Sequence, residues 1–174
     1  MNKNLKHLLI KISSSFCLLS ITLCTPNYAF IPKVIEPNNE ELKRTSLTIG
    51  RTAQHFIYLG RTKEGVNFAK LALSLNPKEI KLWMVLAEGQ LRNKRLKEAL
   101  YSIKKGKSIN RNISDLWFME ASIFLQQKNS SQAIISLKQG LDISPKDSGA
   151  YFQLGNARIM QMKLKIALKD FQKA

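Results

Sequence analysis

Few residues in this chain have the types and spacing that chemistry requires. The histidines are His7 and His55, and the cysteines are Cys17 and Cys24. His7, Cys17 and Cys24 all fall within residues 1–29, a stretch that contains no Asp or Glu. His55 stands alone, with no nucleophile or acid pair patterned around it, so it reads as a packing or surface residue rather than a general base. The acids are scattered, and no glycine-rich phosphate loop follows a strand. The sequence therefore predicts no enzyme: no catalytic residue, no metal and no cofactor.

Charge is more informative. The chain carries 28 basic and 12 acidic residues, a formal net charge of +16. The excess is concentrated in residues 80–113, where Arg92, Lys94, Arg95, Lys97, Lys104, Lys105, Lys107 and Arg111 form the densest cluster. Such a basic ridge could meet anionic lipid or an acidic partner. Tyr101 is the one aromatic residue within the cluster, too few for a base-stacking surface, which argues against nucleic acid.

The elements that must carry these residues are written as a repeat. Trp83, Trp117 and Tyr151 are 34 residues apart, as are Pro77, Arg111 and Pro145. The same step relates Gly65, Ala99, Ala133 and Ala167, and also Ala53, Ala87, Ala121 and Gly155. Another small column is Ala72, Gly106, Gly140 and Ala174, while Ile57, Leu91, Leu125 and Ile159 form an aliphatic one. Small columns beside large ones are what close helix pairs require. A fixed period of this length predicts stacked two-helix units rather than one compact core. Paired helices are expected at 46–59 and 62–75, 80–92 and 96–109, 114–126 and 130–143, and 148–160 and 164–174.

In these columns the chain resembles tetratricopeptide repeat (TPR) proteins. The third repeat carries the pattern at Trp117, Ala121, Phe124, Ala133, Leu137, Gly140 and Pro145. The second departs from it with Arg111 at the closing proline, and the first with Ile49 in place of the aromatic. The resemblance implies an all-α solenoid of helix-turn-helix repeats, a right-handed superhelix, with repeats at 46–79, 80–113, 114–147 and an incomplete 148–174. It further implies a concave groove lined by the first helix of each repeat. Its expected residues are Gln54, Met84, Glu88, Leu91, Phe118, Ser122, Leu125, Phe152, Asn156 and Ile159. The positions of a chaperone-tail clamp hold Gly50, Gln54, Val85, Asp115 and Met119, which lack the cations for a terminal carboxylate. The fourth repeat stops inside its second helix, so a longer natural chain or a covering partner is expected.

Residues 1–29 have the layout of a secretory signal: Lys3, Lys6 and Lys11, then 13 mostly apolar residues from Ile12 to Cys24, then Pro26 and Ala29. Cleavage after Ala29 would leave no cysteine; retention would leave a membrane anchor. Residues 30–45 read as a connector, broken by Pro32 and Pro37, that runs into the first helix. Asn38 or Asn39 is expected to cap that helix, with Glu40 and Glu41 in its first turn.

Two functional readings follow. The first is an exported scaffold, in periplasm or thylakoid lumen, that holds a peptide or amphipathic helix of a partner in its groove. Basic, exported TPR proteins of cyanobacteria and plastids are similar in composition, which implies help in assembling an envelope or thylakoid membrane complex. The alternative is a membrane-surface structural protein that binds anionic lipid through its basic ridge.

Overall fold

The computed structural model describes residues 38–174, so the expected signal and residues 30–37 of the connector, with Pro32 and Pro37, lie outside the described residues. Eight helices follow in order: α1 (Asn39–Tyr58), α2 (Thr62–Leu75), α3 (Ile80–Arg92), α4 (Leu96–Ile109), α5 (Ser114–Gln126), α6 (Ser130–Ile143), α7 (Ser148–Ile159) and α8 (Leu164–Phe171). Contacts divide the chain into Met1–Leu42 and Lys43–Ala174. Of the first unit only Asn38–Leu42 are described. There the Asn38 side chain accepts from the Glu41 amide at 2.8 Å, and Glu41 accepts from the Asn38 amide at 3.2 Å. Two orphan amides of the helix start are thus satisfied reciprocally.

Within Lys43–Ala174 the fold is all-α. The sequence-expected boundaries of α2 to α6 match, while α8 ends at Phe171 because Lys173 and Ala174 turn back onto the carbonyls of Asp170 and Phe171. The first helix of each repeat packs on the second through the small columns. Gly65 shows why: a Cβ there would sit 2.5 Å from Ile57 Cγ1 and 2.9 Å from the Ala53 carbonyl. Ala53, Ala87 and Ala121 are fully buried at their crossings. Ala121→Leu should overpack its site and cost about 1–3 kcal/mol. An unchanged urea midpoint would show that this crossing has slack.

The turn inside each repeat is also repeated. Gly60, Lys94, Lys128 and Met162 all have φ between 58° and 78° and share one column. In the last three the next amide reaches back to the carbonyls of Gln90, Phe124 and Arg158, closing the preceding helix with a left-handed cap. The links between repeats are held differently. The indoles of Trp83 and Trp117 donate to the carbonyls of Pro77 and Arg111, at 2.8 and 2.9 Å. Each aromatic therefore pins the link that precedes its own helix.

Among the described elements, α3 touches α5 and α5 touches α7, whereas no two second helices touch. Gly50 of α1 likewise lies against Leu82 of α3. The first helices are thus the closer set.

Candidate functional site

The first helices bring one polar residue per repeat into register: Gln54, Glu88, Ser122 and Asn156. Gln54 is exposed, and the other three are half-buried. Glu88 holds Arg92 of its own helix at 2.9 Å. The Ser122 hydroxyl reaches Gln153 Oε1 on α7 at 3.1 Å, a link between neighbouring first helices. Gln153 had no place in the groove set expected from sequence, because its column otherwise holds Arg51, Val85 and Met119.

The apolar part of that set divides. Met84, Leu91 and Leu125 are half-buried against the core, while Phe152 and Ile159 are exposed. Phe118 is a correction: the residue is 8% exposed and its ring lies over Gly140 of α6. Glycine leaves a depression that an aromatic ring fills, so Phe118 belongs to the core. Phe152 occupies the same column, but the equivalent of Gly140 is Ala174, beyond α8. Its ring instead meets Phe171 at a centroid distance of 5.6 Å.

The basic ridge is also rearranged. Arg92 pairs with Glu88 and Arg95 with Glu98, at 2.9 and 3.6 Å. Lys107 leaves the surface. Its ammonium lies 2.9 Å from Glu120 Oε2 and 3.2 Å from the centre of the Trp117 ring, with both charged side chains about nine-tenths buried. The Ser136 hydroxyl donates to the same carboxylate at 2.7 Å. Lys94, Lys97, Lys104, Lys105 and Arg111 remain exposed. The signal for the buried pair was present in the columns. Lys107 stands where other repeats have Leu73 and Leu141, and Glu120 where they have Leu86 and Leu154. Opposite charges that replace two leucines at one joint satisfy each other.

Arg111, in the proline column, borders a shallow crevice of about 460 Å³ shared with Asn112, Trp117, Gln139, Asp142 and Ile143. His55 is exposed on α1. Among the described residues no cluster of His, Cys, Asp and Glu could hold a metal ion, and no helix is long and apolar enough to cross a membrane. The amide at the start of α2 and the Arg61 guanidinium hold the Glu64 carboxyl below its ordinary range.

Register, paired helices and turns recur from unit to unit, and the third unit meets a known pattern across its whole length. Residues 114–147 are a tetratricopeptide repeat. The TPR fold extends to the neighbouring units by structural likeness. A crystal structure of MamA superposes with a TM-score of 0.67 at 15% identity, covering 78% of this chain and 83% of MamA. A second MamA crystal structure gives 0.64 at 17% identity, with 78% and 70% covered. MamA from Desulfovibrio magneticus RS-1 gives 0.64 at 16% identity, with 78% and 73% covered. At such identities the likeness is one of fold alone. No curated protein matches the chain.

Proposed function

We infer that this chain is a protein-interaction scaffold that holds an extended peptide or a short helix of a partner against its first helices. The observation that carries the reading is the in-register row Gln54, Glu88, Ser122 and Asn156 on the closer-packed set of helices. Carboxamides and a hydroxyl both donate and accept, as a peptide backbone demands. The helices are rigidly packed before any partner arrives, so little ordering entropy opposes binding. Residues 1–29 would export the chain, to a periplasm or thylakoid lumen, where such a scaffold would serve assembly of a membrane complex.

The test is affinity capture with the full chain from an envelope extract of the source cells, followed by cross-link mapping. Cross-links on α1, α3, α5 and α7 are expected. A partner cross-linked only to α2, α4 and α6 would sink the reading. Export has its own check. N-terminal sequencing of the native protein should begin at Phe30, and a cytosolic chain beginning at Met1 or Asn2 would refute export.

A further inference from the structure

The second helices present a different surface. The same five positions of α2, α4 and α6 face solvent: Lys63, Asn67, Lys70, Leu71 and Ser74, then Lys97, Tyr101, Lys104, Lys105 and Ser108, then Ser131, Ile135, Lys138, Gln139 and Asp142. All fifteen side chains are exposed. The stripe holds six lysines and one acid, and among the described residues none of those lysines is paired with a carboxylate. Lys70, Lys104 and Lys138 form a ladder with one rung per repeat. Between the rungs stand single exposed apolar side chains, with Tyr101 58% and Ile135 54% accessible. Lys105 lies over the Tyr101 ring at 5.4 Å.

We propose that this outer stripe of α2, α4 and α6 docks the protein on an anionic lipid bilayer. The chemistry of the stripe selects that occupant over an acidic protein. The cations at its fifteen positions are all lysines, compact charges on flexible stems, while the arginine fork that fixes a partner's carboxylate in one geometry comes at its edge, where Arg111 shares a crevice with Gln139 and Asp142. A diffuse negative surface needs only charge density within a Debye length. The apolar side chains are spread along the stripe and form no central cluster of the kind that anchors a protein interface. A tyrosine with an apolar body and a polar tip suits the headgroup layer. The proposal does not rest on the scaffold reading, since the first helices stay free on the opposite side of the array.

The test is co-sedimentation of the full chain with phosphatidylglycerol vesicles and with phosphatidylcholine vesicles, at low and high salt. Residues 1–29 are common to every variant, so differences between variants report the stripe. Lys70→Glu/Lys104→Glu/Lys138→Glu should weaken binding to phosphatidylglycerol at least tenfold, and the charge-neutral Gln triple should fall between it and the parent. Tyr101→Ser/Ile135→Ser should weaken binding severalfold with the charges intact. Helical circular dichroism should stay unchanged, because every substituted side chain is exposed. Parent-like binding by the Glu triple would overturn the proposal. So would binding of soluble polyglutamate as tight as binding of vesicles, with no effect of Tyr101→Ser/Ile135→Ser, since that outcome marks an acidic polymer as the occupant.

Discussion

Glu120→Ala is expected to lower the free energy of unfolding by about 3–5 kcal/mol. The Glu120 side chain is 10% exposed and Lys107 is 12% exposed, so truncation leaves an ammonium in a poorly solvated joint with only the Trp117 ring as company. The Ser136 hydroxyl loses its acceptor as well. The same joint suggests the complementary experiment. At the flanking joints the equivalent pairs are Leu73 with Leu86 and Leu141 with Leu154, each in a shared apolar cluster. Lys107→Leu/Glu120→Leu/Ser136→Ala would copy that solution and should be neutral or stabilising by about 1–4 kcal/mol. Urea denaturation of the full chain measures both. A mild loss in the single variant would mean that water reaches the Lys107 ammonium.

The second large effect concerns binding. Once a partner is captured, Gln54→Ala/Glu88→Ala/Ser122→Ala/Asn156→Ala should reduce its affinity by more than tenfold. Four hydrogen-bonding side chains contribute about 0.5–1.5 kcal/mol each when they meet a peptide. The residues are exposed or half-buried, so the helical signal should survive apart from the loss of the Ser122–Gln153 link. Isothermal titration with the captured segment measures the change. Parent-like affinity would remove the row from the site. Phe118→Ala would not serve this purpose, since the ring over Gly140 would report on stability instead.

The helices were legible because helix boundaries depend on features that repeat with the period. Asn76-Pro77 and Ser144-Pro145 stop α2 and α6, and Trp83 and Trp117 open the helices that follow. Side-chain direction was less legible. Phe118 and Phe152 share a column, yet one is buried and the other exposed, because their fates rest on Gly140 and Ala174 in a different helix. The turn column was open to reading too. Gly60 marks a left-handed position in the first repeat, and the later repeats tolerate Lys94, Lys128 and Met162 there at a steric cost. Lys107 reads as a surface residue by type alone, although its leucine-bearing column points inward.

One contact differs from repeat to repeat. At the equivalent crossing of first and second helix, Phe56 stacks on Phe68 with ring centres 5.1 Å apart, and Gln90 accepts from Ser102 at 2.7 Å. In the third repeat Ser136 turns to Glu120, and in the fourth Arg158 and Asp170 meet at 2.6 Å as a charge contact not aligned as a hydrogen bond. A chain made of near-copies runs the risk of mating the wrong halves during folding. Here a mismatch is chemically marked: α8 on α1 would press the Asp170 carboxylate against Phe56, and α4 on α7 would leave Arg158 facing a lone hydroxyl. Each hairpin thus carries its own key, and shuffled versions of this array, with keys exchanged between first helices, should misassemble although every 34-residue column is kept.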